Sequence, residues 1–385
     1  MALDTHRVPD ASLINDVRTP ASFKGITFSK YKKLEVKHAL LDNMMKIKIE
    51  PACYWCAELI CAGHYTDIWD ILLHFLGKHV HLGNPKLTVY MENRYQIFRN
   101  IMSQSFFTHD IQARNNQSIR KLFFELICVF AYSPRKHSFE PIKINRTEEF
   151  DVTQMTEKLH APSIKYGQPL LQKDDPKELF IAINEFAYHI TREGVNAMRA
   201  CYWIEWLMEF DAICKKRKTI CRCERRAYIP VESKYQKDTI WLIWDTLNHY
   251  AKEEGHNEFV QKTLASLLRL FCIKYTTGSC KKRRYLLYFA VGLLVDTVPT
   301  TVEIIGADHK KILVAVLGQI DVIYKQIKRN EESPNTDYLF NNLNDAQRNL
   351  EATMKKIELM QTMDRAKPGK TPRTYDDDDD GDLFS

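Results

Sequence analysis

Turn residues are scarce in this chain, with 13 glycines and 14 prolines in 385 residues, against roughly 7% and 5% in ordinary proteins. A β-sandwich, a barrel or a glycine-loop α/β enzyme needs more corners, so the shortage predicts long helices. Long apolar runs are missing too. The longest, Tyr285 to Val295, stops at Asp296, whereas a membrane span needs about 18 residues, so no membrane partner is expected. The amino end has no apolar core segment of the secretory type, so no export signal is expected. The sequence contains no G-x-S-x-G, no H-E-x-x-H and no H-x-E with P-C-x-x-C. The expectation is a non-enzymatic protein with no cofactor.

Ten cysteines are present without framework spacing, which reads as reduced thiols in a cytosolic or nuclear compartment. Charge is uneven. Lys+Arg number 55 and Asp+Glu 49, a net +6. Setting aside the six aspartates of the carboxyl tail leaves a body of +12. A basic body with an acidic tag points to an anionic partner; a solubilising tail on a mildly basic domain is the plainer account.

An internal repeat is legible. Ala52-Cys53-Tyr54-Trp55 returns as Ala200-Cys201-Tyr202-Trp203. Ile68-Trp69-Asp70-x-Leu72-x-His74-Phe75 returns as Ile243-Trp244-Asp245-x-Leu247-x-His249-Tyr250. Arg120 before one apolar run and Arg284 before another form a looser third pair. The pairs keep their order, which predicts a tandem duplication. Both copies read as helical: Ile68, Ile71, Leu72 and Phe75, and Val260, Leu264, Leu267, Leu268 and Phe271, fall at steps of three and four.

The expected fold is all-α. Residues 1–29 form a polar leader, 30–140 a first helical bundle, 141–175 a proline-bearing linker with room for short strands, and 176–300 a second bundle with a basic insertion at 214–237. Residues 308–364 are expected as a helical hairpin, docked on the body or paired with another subunit. Its faces are Leu313, Leu317, Ile320, Tyr324 and Ile327, then Leu343, Ala346, Leu350, Thr353, Ile357 and Met360. Residues 365–385 have no periodicity and are expected to be a disordered acidic tail.

The string Pro51-Ala52-Cys53-Tyr54-Trp55-Cys56-Ala57 through Ala62-Gly63, with Leu82-Gly83-Asn84-Pro85 after it, resembles the carboxyl-terminal helical collar of clamp-loader-related ATPases. The resemblance covers roughly residues 30–140 and implies a collar used for oligomerisation on DNA. The ATPase domain is absent: no G-x-x-x-x-G-K-[ST] occurs, and Gly369-Lys370-Thr371 lacks the first glycine. The whole chain also resembles uncharacterised proteins of nucleocytoplasmic large DNA viruses, through ACYWCAELICAGHY and RRYLLYFAVGLL. That implies a viral protein in the host cytoplasm or nucleus, at the viral factory, or in the virion.

Two basic clusters are the candidate binding residues. Lys215, Lys216, Arg217, Lys218, Arg222, Arg225 and Arg226 form one; Lys281, Lys282, Arg283 and Arg284 the other. Such residues neutralise phosphates and release counterions, and Tyr228, Tyr235, Tyr285 and Tyr288 lie close enough in sequence to stack on bases. A solvated loop or a nuclear-import signal at Lys215–Lys218 would read the same way. Asp376, Asp377, Asp378, Asp379, Asp380 and Asp382, followed by Leu383-Phe384, resemble the acidic, Phe-bearing ends of single-stranded-DNA-binding proteins. A tethered acidic segment competes with DNA at high effective concentration, while Phe384 anchors in a partner. Cys53, Cys56, Cys61 and His64, and Cys214, Cys221 and Cys223, lack a second ligand pair, so no metal is expected. The cations around Cys221 would lower its pKa. The expected function is a non-enzymatic DNA-associated scaffold or accessory protein in viral replication, packaging or organisation, with viral replication or packaging proteins, or further copies of itself, as partners. The alternatives are a structural, protein–protein interaction component of the particle and, behind it, a metal- or thiol-dependent enzyme.

Overall fold

A computed structural model gives the fold, describing residues 12–105, 107, 109–146, 150, 156–219, 221–332, 353–358 and 360. It is all-helical. Among the described residues there is no strand, only one isolated bridge between Ile26 and Lys32, so the linker holds no strand there. The helices are α1 (Lys33–Met45), α2 (Ile49–Cys61), α3 (Tyr65–Phe75), α4 (Lys86–Gln104), α5 (Gln117–Tyr132), α6 (Phe180–Ile190), α7 (Ala197–Lys216), α8 (Ile240–Glu253), α9 (Glu258–Phe271), α10 (Arg284–Val295), α11 (Ala307–Gly318) and α12 (Ile320–Lys328).

Local chemistry sets the helix ends. Asn116, Asn196 and Asn257 cap α5, α7 and α9, each side chain accepting from the backbone N–H three residues on. This satisfies a donor that the helix cannot. Asn257→Ala is therefore expected to cost about 1 kcal/mol, read as a lowered midpoint in urea. Gly63 and Gly255, both at positive φ, end α2 and α8, the left-handed position that glycine occupies without a Cβ clash.

Apolar faces bring the helices together. In the first stretch α1 packs on α2 and α3, α2 and α4 on α5. In the second, α6 packs on α7 and α8, α7 and α9 on α10. Between the stretches α4 lies against α9, and α10 lies against the π-helical turn Leu76–Val80 that extends α3. Gly77 permits that crossing: a Cβ there would come within 2.9 Å of the Tyr285 and Leu286 backbone. All these faces share one continuous apolar core.

The two tryptophan tetrapeptides lie on α2 and α7 in unlike surroundings. Trp203 is buried, whereas Trp55 is half-buried against Tyr31 and Tyr54. Trp69 and Trp244 are alike: each is buried against a phenylalanine of the helix that follows its own, Phe98 of α4 and Phe271 of α9 respectively.

Residues 12–29 are less polar in role than the leader reading expects. Ile14, Phe23 and Phe28 are buried, and the Arg120 guanidinium donates to the Ser12 carbonyl at 3.2 Å. The first arm of the expected hairpin is two helices, broken at Gln319. Gly318 ends α11, and α12 then turns Ile320, Ile323, Tyr324 and Ile327 onto α2 and α5. Arg120 lies 3.6 Å from the Tyr324 ring centroid. This arm docks on the body. Of the second arm, residues 353–358 and 360 are helical, with Thr353, Ile357 and Met360 of its expected packing face exposed; its other residues, and the tail 365–385, lie outside the described residues.

Candidate nucleic-acid interface at the end of helix α7

Helix α7 runs 20 residues and finishes on Lys215 and Lys216, cations that complement the negative end of its dipole. The chain leaves through a double turn: Lys218 N–H donates to the Lys215 carbonyl (3.1 Å) and Thr219 N–H to the Cys214 carbonyl (2.9 Å). Lys218 adopts φ +57° there, where glycine is the usual occupant.

The second basic cluster arrives at the same place. Lys281 and Lys215 line one small cavity of about 130 Å³, with Asp211 and Asp238. Lys281 Nζ is 2.7 Å from Glu209 Oε1, and Arg146, from the linker, is 2.6 Å from Glu209 Oε2. Burial alone would raise the Glu209 pKa, but hydrogen bonds from Lys281 and Arg146 outweigh it and hold the carboxyl below its usual range. Lys215 pairs with Asp211. Arg146 is a neighbour that sequence reading missed, because only the fold brings residue 146 to residue 209.

Two of the candidate cations are internal, which corrects the expectation for them. Arg226 is 1% exposed. Its guanidinium spans Asp175 (2.5 and 2.6 Å) and Asp245 (2.9 Å), and also donates to the Glu224 carbonyl. Burial would lower its pKa, but the bonds to both aspartates outweigh that and raise it. Arg283 is also buried. It donates to the Phe271 and Ile273 carbonyls (2.7 and 2.6 Å) and to Asp70 (2.8 Å). Neither guanidinium can reach a phosphate without leaving the core. Two of these three aspartates, Asp70 and Asp245, are the matching residues of the repeated Ile-Trp-Asp tripeptide. Each holds one buried arginine.

Arg284 is largely covered and lies 3.6 Å from buried Glu205. Tyr285 and Tyr288 are core residues rather than stacking surfaces; Tyr288 donates to Glu205 at 2.7 Å. Tyr228 is exposed, its hydroxyl on Asp245, and Tyr235 is half-buried. Lys282 is half-exposed. What remains at the surface comes from one short stretch: Lys216, Arg217, Lys218 and Arg222 are exposed with no ion pair among the described residues. Arg225 is exposed too, with Nε 2.7 Å from Gln236 Oε1.

The Cys221 thiol is not activated. Cys221 is half-buried, and burial, helped by neighbouring Cys214, pushes its pKa up to about 12. The neighbouring cations do not lower it, because they point to solvent while the sulfur sits against the body. Burial likewise pushes Cys272 and Cys280 up to about 12. Among the described residues no three His, Cys, Asp or Glu side chains gather at metal-ligand spacing. His79 and His81 bond to Ser138 Oγ (2.7 Å) and the His137 carbonyl (2.9 Å), and burial lowers both, His79 to about 4. The aspartates Asp376 to Asp380, Asp382 and Phe384 lie outside the described residues. No helix among the described residues is long and apolar enough to cross a membrane.

No protein-family model, curated protein or solved structure matches this chain.

Proposed function

We propose that the chain is a non-enzymatic DNA-associated scaffold or accessory protein that holds phosphates on the exposed cations after α7. The observation carrying this reading is that Lys216, Arg217, Lys218, Arg222 and Arg225 are all exposed in the short stretch that closes and leaves α7. Unpaired surface cations in one patch attract polyanions and gain counterion entropy on binding. The acidic tail tunes that contact by competing for the same cations. Work in viral replication, packaging or organisation, with viral replication or packaging proteins as partners, rests on the resemblance alone.

The two stretches are read as copies of one module on their shared order of helix packing and on Trp69 and Trp244. The tetrapeptides, whose surroundings differ, lend less support.

One observation favours a second reading. Lys215 and Lys281 are already paired with carboxylates, a mixed-charge rim suited to an acidic protein surface in a virus particle. Anisotropy of labelled duplex and single-stranded DNA across a salt series separates the two. The DNA reading expects a steep fall with salt, and tighter binding once residues 366–385 are removed. No binding at low salt favours the structural role.

A further inference from the structure

Away from α7, a cavity of about 400 Å³ opens where α3 and α4 meet the loop after α9. Its volume falls in the range of small-molecule sites, roughly 300–1,000 Å³. Trp69, Tyr95, Phe98 and Phe107 supply aromatic walls. Trp69 meets Tyr95 edge-on, ring centroids 5.0 Å apart. The Trp69 indole N–H has no acceptor among the described residues.

Two cations, Arg99 and Lys274, and one carboxylate, Asp110, make up its charged lining. Arg99 is exposed and has no ion pair among the described residues. Lys274 reaches across from the loop after α9 to donate to Thr66 Oγ1 at 3.0 Å. Lys274 also adopts φ +41°, a backbone conformation that costs energy for a side chain bearing Cβ and that concentrates at functional positions. Tyr95, Arg99, Ile273 and Lys274 also line an adjoining recess of about 360 Å³ on the outer side. The layout is therefore an aromatic chamber, then two cations, then an open recess.

We propose that this cavity binds a nucleotide, its planar base among the aromatic walls and its phosphate between Arg99 and Lys274. Aromatic faces accept any base by stacking, and a guanidinium and an ammonium together suit a phosphate. An apolar ligand would leave both cations unused, and an inorganic anion would leave the chamber empty. The nucleotide is either free or an unpaired residue of a strand, with the same chemistry in both. The site uses none of the cations after α7, so it stands or falls apart from that surface.

The test uses 2-aminopurine riboside 5′-monophosphate, whose emission falls on stacking, titrated into the full chain. Saturable quenching is expected. Arg99→Glu with Lys274→Glu, both exposed, should weaken it about tenfold or more, as should removing the phosphate from the probe. Lys216→Glu with Arg217→Glu should leave the mononucleotide titration unchanged. A parallel arm places 2-aminopurine in a short unstructured single strand. Quenching there alone, lost in the Arg99/Lys274 variant, assigns the site to a strand; quenching by the mononucleotide assigns it to the free ligand. No saturable quenching in either arm up to millimolar concentration overturns the proposal. So does quenching indifferent to Arg99 and Lys274.

Discussion

Arg226→Ala is expected to destabilise the protein by about 3–5 kcal/mol, the range for removing one partner of a buried ion pair. The cause lies in what is left behind. Asp175 and Asp245 converge on the Arg226 guanidinium. Without it two carboxylates face each other with little access to water, and the Glu224 carbonyl loses a donor. Asp175 belongs to the linker, Arg226 to the basic insertion and Asp245 to α8, so this one side chain fastens three segments. Arg226→Lys does not rescue it fully, because an ammonium cannot span both carboxylates in the same fork. By contrast, Arg225→Ala removes a neighbour of the same type from the surface, where the loss is expected to stay within about 0.5 kcal/mol. Urea unfolding of the two variants side by side checks this. Equal losses would contradict the burial difference between adjacent arginines.

The second large effect concerns the tetrapeptides. Trp203→Ala is expected to cost about 3–5 kcal/mol, because Trp203 is 1% exposed and packs on Trp206. Trp55→Ala removes the matching residue of the first tetrapeptide and is expected to cost clearly less, since its ring is only half-buried, beside Tyr31 and Tyr54. Sequence alone gives both tryptophans the same core role. Thermal melts of the two variants read the contrast, and a Trp55→Ala loss as large as that of Trp203→Ala would refute it.

Helix content was legible because the information is local. Val260, Leu264, Leu267 and Phe271 repeat at helical spacing, and all four are buried on α9. The scarcity of glycine and proline agrees with that. What was not legible depends on distant partners. Arg225 and Arg226 are indistinguishable in sequence; only Asp175 and Asp245, far apart in the chain, decide which turns inward. The same holds for Arg283, taken by Asp70. One signal was present: Asp70 and Asp245 share a position in the repeated string, and both prove half-buried, where a carboxylate calls for a cation. The break at Gln319 was missed because Leu313, Leu317, Ile320, Tyr324 and Ile327 keep helical spacing across it. Burial of Ile14, Phe23 and Phe28 was missed because isolated apolar residues in a polar segment carry no period.

The phosphate surface is the claim on which the functional account turns. Duplex DNA affinity of the full chain, plotted against salt, should have a log–log slope of about −4 to −5, for five exposed cations at roughly 0.9 each. Reversing Lys216, Arg217, Lys218 and Arg222 to glutamate together should bring that slope to about −1 or abolish binding, with the melting temperature kept. A variant that binds with the wild-type slope would contradict the account.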